Sequence, residues 1–198
     1  MKDMLEILSQ KDPILKSVIE KYGNPVVQVR EQGFAAMVHI ILEQQVSIAS
    51  AKATYVKMAA YFTEITPEKM LAATDEEFRA LGVSRQKTSY IKDMTSRVVS
   101  KILDFESLSG KSAEEVTQEL LAIKGVGVWT VEVYLMFCLQ FPDVIPFGDI
   151  AIRKAIQELY DVHEIEKMAE LARNWAPFRS LASFILWQHY LGKRNRLQ

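Results

Sequence analysis

Several things are scarce in this sequence at once. One cysteine, Cys138, in 198 residues rules out an internal disulfide and any zinc or iron–sulfur centre held by cysteines. Eight glycines and six prolines amount to about 7% of the chain against roughly 12% in average usage. Turn-rich all-β folds need more of both, so the shortage points to helices. No apolar run is long enough for a signal peptide or a membrane span. Excess charge is missing as well: 24 Lys+Arg face 25 Asp+Glu, for a net charge of -1. That balance argues against wrapping nucleic acid by bulk electrostatics. What is present, 49% hydrophobic and 25% charged residues, suits a globular core in one domain or two small lobes. The fold class expected is all-α.

Helix punctuation runs from end to end. Asp12-Pro13 reads as an N-cap with proline at the first helical position, closed by Gly23, and Thr66-Pro67 repeats the signal. Thr74 with Glu77, and Ser112 with Glu115, have capping-box spacing. Between these starts the apolar residues fall three and four apart, as in Val38, Ile41 and Leu42, or Leu171, Trp175 and Phe178. Roughly ten helices are predicted, and no stretch sustains strand alternation. One differs from the rest: from Val128 to Leu139 nearly every residue is apolar, and Glu132 is the sole charge. A helix apolar all round is expected to be buried all round.

Immediately before it lies Leu121-Ala122-Ile123-Lys124-Gly125-Val126-Gly127. A helix opened by Ser112 ends near Ile123, and two glycines make a tight turn into the buried helix. Glycine at 125 and 127 permits backbone angles that other residues resist, and removes side chains that would block a close-approaching ligand. The free amides of the turn and of the next helix's first turn, with the helix dipole, suit one phosphate. On the pattern alone, an ordinary helix–helix connection is the favoured reading.

Asp149 lies 22 residues after Gly127 and opens another helix, Ile150-Ala151-Ile152-Arg153-Lys154. It reads first as an N-cap. A carboxylate aimed by its cap bonds, at a helix end that favours negative charge, also suits a developing positive charge.

The glycine run, with Thr130 just inside the second helix, resembles the helix-hairpin-helix motif. Followed at this distance by Pro142, Pro146, Gly148 and a single Asp, it resembles the DNA glycosylase superfamily named for that hairpin. Three further segments are similar to the branch of bacterial 3-methyladenine DNA glycosylase II. They are Ile41-Leu42-Glu43-Gln44-Gln45-Val46-Ser47-Ile48-Ala49-Ser50-Ala51, Leu81-Gly82-Val83-Ser84-Arg85-Gln86-Lys87-Thr88-Ser89-Tyr90-Ile91, and Trp175-Ala176-Pro177-Phe178-Arg179-Ser180-Leu181-Ala182 running to Leu186-Trp187. The resemblance covers about residues 30 to 192.

That resemblance implies two helical lobes with a cleft between them. Residues of about 30–110 would form one lobe, about 111–160 the hairpin and catalytic segment, and the N- and C-terminal helices the other lobe. No separate N-terminal β domain is expected. The implied activity is monofunctional hydrolysis of the N-glycosidic bond of alkylated purines, of the 3-methyladenine and 7-methylguanine type, in base excision repair. Such an enzyme flips its target nucleotide out of the duplex. Asp149 would be the catalytic group. Trp129 and Trp187 would line the base pocket, where aromatic faces hold a cationic purine. Val133 and Ile150 stand at two positions where the family has pocket tyrosines. Gln45 or Gln44 would fill the gap in the stack, in place of the family's best-known leucine. Gly125, Val126, Gly127 and Thr130 would bind a DNA phosphate. The carbonyls of Leu121, Ile123 and Val126 could hold Na+ or K+ there, and no other cofactor is required.

Lyase members carry a nucleophilic lysine where this chain has Trp129, so no lyase activity is expected. Arg179 and the cluster Lys193-Arg194-Asn195-Arg196 are candidate phosphate contacts, the cluster reading equally as a solvated chain end. Trp175 and Cys138 read as packing. His39, His163 and His189 lack metal-ligand spacing. The expected partner is damaged double-stranded DNA, met by a monomer inside the cell (cytoplasm and nucleoid, or nucleus in a eukaryote), with no membrane. Two alternatives stay open: a non-catalytic DNA-binding module, and the same fold acting on deaminated or oxidised bases.

Overall fold

The computed structural model describes residues 2–195. Among them are twelve α-helices and no strand. In chain order they are α1 (Lys2–Lys11), α2 (Pro13–Tyr22), α3 (Phe34–Glu43), α4 (Ile48–Phe62), α5 (Pro67–Ala72) and α6 (Asp75–Ala80). There follow α7 (Arg85–Val99), α8 (Ala113–Leu121), α9 (Val128–Phe137), α10 (Ile150–Tyr160), α11 (Ile165–Ala172) and α12 (Arg179–Gly192). Single 3-10 turns occupy Ser107–Gly110 and Arg173–Trp175. The count exceeds the ten expected partly because α5 and α6 are separate six-residue helices, each started by its own threonine cap. None of the described helices is long and apolar enough to cross a membrane.

The punctuation works as the sequence predicts. Asp12 accepts from the Ile14 and Leu15 amides, and Gly23 closes α2 at φ 83°. Thr74 with Glu77 and Ser112 with Glu115 form reciprocal capping boxes.

The chain divides into two compact units. One is Met1–Val29 with Gln140–Gln198; the other is Arg30–Leu139. In the first, α12 packs on α10, α2 and α1. Its core comprises Leu8, Leu15, Ile152, Ile156, Met168, Trp175 and Ile185, with their neighbours. In the second, α3 packs on α4, α7 and α9, while α8 and α9 form the two arms of the hairpin. Thr130, Val131 and residues 133–137 of α9 are buried, whereas Val128 is 58% exposed at its start. Burial on nearly every side is why that helix carries almost no polar residue.

Candidate functional site

The turn between α8 and α9 is built from inside the Arg30–Leu139 unit. Gly125 adopts φ +76°, and a Cβ there would lie 2.2 Å from the Tyr90 ring of α7. Both its backbone and its packing demand glycine. Gly127 is different. Its φ is −103° and ψ 177°, an extended conformation open to any residue, and a Cβ would meet nothing within 4 Å. The expectation of unusual backbone angles holds for Gly125 alone.

Neighbouring residues set the turn. Asp93 Oδ2 accepts from the Lys124 amide at 2.9 Å and from Arg97 Nε at 2.9 Å. Burial by itself would raise the Asp93 pKa; these donors outweigh it and hold the carboxyl below its ordinary value. Gly127 is the N-cap of α9 and offers no side-chain cap. Among the carbonyls singled out as cation ligands, that of Ile123 accepts from Val126 N at 3.1 Å. Leu121 ends α8, where helix carbonyls point onward without a helical donor.

The two glutamines part company. Gln44 is half-buried, and its Nε2 donates to Gly125 O at 3.1 Å and to Thr130 Oγ1 at 3.0 Å. Gln45 is exposed at φ +57°, with Val46 (46%) and Ile48 (74%) exposed beside it. Lys87 Nζ donates to Leu42 O at 2.7 Å and so holds the end of α3; burial lowers its pKa.

In the other unit, Asp149 is the N-cap of α10. Its Oδ1 accepts from Ala151 N at 2.7 Å, Ile152 N at 3.2 Å and Trp187 Nε1 at 3.3 Å. Trp187 lies on α12, with Phe184 edge-on to it at 5.6 Å between ring centroids. The preceding loop is clamped from the start of the same helix. Arg179 makes a two-pronged pair with Asp143, Nε to Oδ1 and Nη2 to Oδ2, both at 2.7 Å. That pair holds the Asp143 carboxyl below its usual range. Ser180 Oγ receives Val144 N at 3.0 Å and reaches Phe141 O at 2.6 Å, while Ser180 N donates to Pro142 O. Ser180 and Trp187 are seven residues apart, two turns of one face, so α12 fixes both the loop and the carboxylate that ends it.

The guanidinium of Arg179, a candidate phosphate contact from sequence, is thus engaged within the chain. Lys193 and Arg194 pair with Glu158 at 3.3 and 2.8 Å, and Arg196 lies outside the described residues. Trp129 is half-buried in the first turn of α9. Trp175 is fully buried, as expected of packing. Burial pushes the Cys138 thiol up to about 12, which keeps it unreactive. No group of three or more metal-ligating side chains occurs among the described residues. Sequence reasoning gave no role to Asp93, Lys87 or Asp143, whose partners Lys124, Leu42 and Arg179 lie 31, 45 and 36 residues away, nor to Tyr90, which packs on Gly125. Ser180 was visible only within a motif, and Arg179 only as a candidate phosphate contact.

An all-helical fold carrying a paired-glycine hairpin, with a capping aspartate downstream, defines a class. Residues 38–178 match the HhH-GPD superfamily of base excision DNA repair proteins, and the chain belongs to that superfamily. The chain is 30% identical over 166 residues to DNA-3-methyladenine glycosylase 1 of Schizosaccharomyces pombe, covering 80% of this chain and 73% of that one. It is 25% identical over 197 residues to the DNA-3-methyladenine glycosylase of Bacillus subtilis, covering 91% of this chain but only 65% of the relative. Another Bacillus subtilis relative is spanned over 64% of its length. Among solved structures, a DNA-3-methyladenine glycosidase from Bacillus halodurans superposes with a TM-score of 0.84 at 30% identity, covering 97% and 91% of the two chains. The S. pombe 3-methyladenine DNA glycosylase in complex with abasic DNA gives 0.84 at 27% identity, covering 94% and 95%.

Proposed function

We propose that this chain is a monofunctional DNA glycosylase that removes alkylated purines, of the 3-methyladenine and 7-methylguanine type, from double-stranded DNA. The observation that carries the reading is the aim of Asp149. Two helix amides and the Trp187 indole converge on Oδ1, which fixes the carboxylate's direction more tightly than a cap requires. The relatives described as 3-methyladenine glycosylases support the substrate class.

Cleavage breaks the bond between C1′ and the base nitrogen, whose electron pair leaves with the base, and positive charge develops on the sugar. An alkylated purine is already cationic, so its departure as a neutral base needs no second carboxyl group to protonate it. Asp149 stabilises the sugar cation and accepts a proton from the water that attacks C1′. The products are the free base and an abasic site. Trp129 and Trp187 supply aromatic faces for the cationic purine, and Gln45 fills the gap left in the stack. With tryptophan at 129 there is no amine to form a covalent adduct, so the strand stays intact.

Val126, the open backbone at Gly127 and Thr130 at the positive end of α9 bind one phosphate. The carbonyls of Leu121, Ile123 and Val126, at the negative end of α8, fit Na+ or K+, which would add positive charge beside that phosphate. The protein acts as a monomer inside the cell.

The test is incubation of the purified protein with methylated duplex DNA, followed by chromatography of released bases. Free 3-methyladenine and alkali-labile abasic sites are expected, with no strand break before alkali. Tight DNA binding without released base would leave only a binding module. Release of deaminated or oxidised bases in preference would replace the substrate class.

A further inference from the structure

The turn that carries Gln45 is four residues long, from Gln44 to Ser47, between α3 and α4. Its tip residue sits at φ +57°, a region that non-glycine residues seldom adopt. Such a turn needs outside support to keep one shape, and Gln44 supplies it. A single nitrogen, Nε2, places one hydrogen on Gly125 O at 3.1 Å and the other on Thr130 Oγ1 at 3.0 Å. Gly125 O can only accept, which fixes the amide's orientation. A neutral side chain able to donate twice from one nitrogen must be a primary amide, so this position calls for Gln or Asn. Glutamate would set oxygens against the Gly125 carbonyl.

The partners of Gln44 are themselves immobile. Gly125 is packed under Tyr90, the adjacent Lys124 amide is bonded to Asp93 at 2.9 Å, and Thr130 is buried in α9. On the other side, Lys87 grips Leu42 O at the end of α3. The wedge turn and the phosphate-binding hairpin, 81 residues apart in sequence, are therefore one rigid piece.

We infer that Gln44 is a positioning residue: it registers the Gln45 wedge to the hairpin, so that a phosphate gripped at Gly127 places the wedge at the correct step of the duplex. The inference rests on the reading above, in which Gln45 fills the gap. Its consequence is specific to base flipping. Gln44 should matter where a base pair must be opened, and hardly at all where the lesion is already unpaired.

The experiment is a double-mutant cycle in single-turnover base release, with 2-aminopurine beside the lesion to report flipping. The variants are Gln44→Ala, Gln44→Met, Gln45→Ala and the Gln44→Ala/Gln45→Ala double. Loss of two hydrogen bonds predicts a drop of about tenfold on a fully paired duplex for both Gln44 variants, with a matching loss of 2-aminopurine signal. Methionine keeps the packing volume, so a shared defect is not one of folding. On a duplex with the lesion in a mismatch bubble the drop should shrink to about twofold or less. The double variant should be no slower than Gln45→Ala, since Gln44 acts through Gln45. Multiplying losses, or equal losses on paired and unpaired lesions, would overturn the inference while leaving the glycosylase reading intact. A harmless Gln45→Ala would remove the wedge, and both readings of this turn with it.

Discussion

Asp12 and Asp149 hold the same local position in one unit of the molecule. Each is the N-cap of a helix, each accepts two backbone amides on Oδ1, and each receives a tryptophan indole N–H. Their surroundings divide them. Asp12 is 7% exposed, and its Oδ2 takes Trp175 Nε1 at 2.7 Å and Tyr160 Oη at 2.8 Å. Burial and the Asp12 charge drive the Tyr160 phenol pKa far above its usual value, so it stays a donor. Asp149 is half-buried, and its indole sits at a looser 3.3 Å on the oxygen that already serves the helix. One motif thus yields a structural rivet in one place and, on our reading, a reactive group in the other. A buried carboxylate stabilises a fold; one that keeps access to solvent can meet a substrate.

Replacing Asp149 by Asn tests the contrast most sharply. Base release should fall by roughly 10²–10³-fold, the scale for losing a charge aimed at the transition state. Because Asn caps a helix about as well as Asp, the urea midpoint should barely move, and binding to abasic DNA should persist. An Asp149→Asn variant of undiminished rate would erase the distinction. Asp12→Ala should do the reverse. It strips a cap and leaves a buried indole N–H and a buried hydroxyl without an acceptor, for a loss of about 3–5 kcal/mol in urea unfolding. The rate per folded molecule should stay as it was.

The tryptophans carry the comparison to a smaller scale. Trp187→Phe removes the donor from Asp149 and part of an aromatic face, and should slow base release about tenfold with under about 1 kcal/mol of lost stability. Trp175→Phe should cost about 2 kcal/mol of stability, from a small cavity and an unmade bond, and leave the rate alone.

Glu132 supplies the third case, burial without donors. Its Oε2 is buried with no hydrogen-bond partner, and burial raises the carboxyl pKa to about 7. A raised pKa means that the folded protein holds a proton which the unfolded chain releases near pH 4.5. Its contribution to stability is therefore complete below that pH and is lost as pH rises through about 7. Glu132→Gln should flatten this decline, which melting temperatures taken from pH 5 to 8 would read out. A slope unchanged by the substitution would show that another group titrates.

Much of this was legible beforehand. The capping boxes at Thr74 and Ser112, the proline starts at Pro13 and Pro67, the bend at Gly125 and the cap at Asp149 are all local, set within a turn or two of the chain. The sequence could not choose between Gln44 and Gln45, because both are polar residues at one helix end. It offered Arg179 to a phosphate because its partner, Asp143, lies 36 residues back in an unremarkable loop. It also treated Gly125 and Gly127 alike, although only one of them is pressed against a ring.

By itself, then, the order of residues determined the helices, their ends, the buried character of α9 and the presence of a paired-glycine turn and a capping carboxylate. These follow from backbone sterics and hydrogen bonds between near neighbours, which act over three or four residues. Tertiary structure decided which carboxylate is buried, which glutamine is a strut and what Arg179 holds. Those outcomes depend on contacts such as Trp175 with Asp12, 163 residues apart, and Gln44 with Thr130, 86 apart. Such contacts exist only once the helices have packed and the entropy of bringing distant segments together has been overcome.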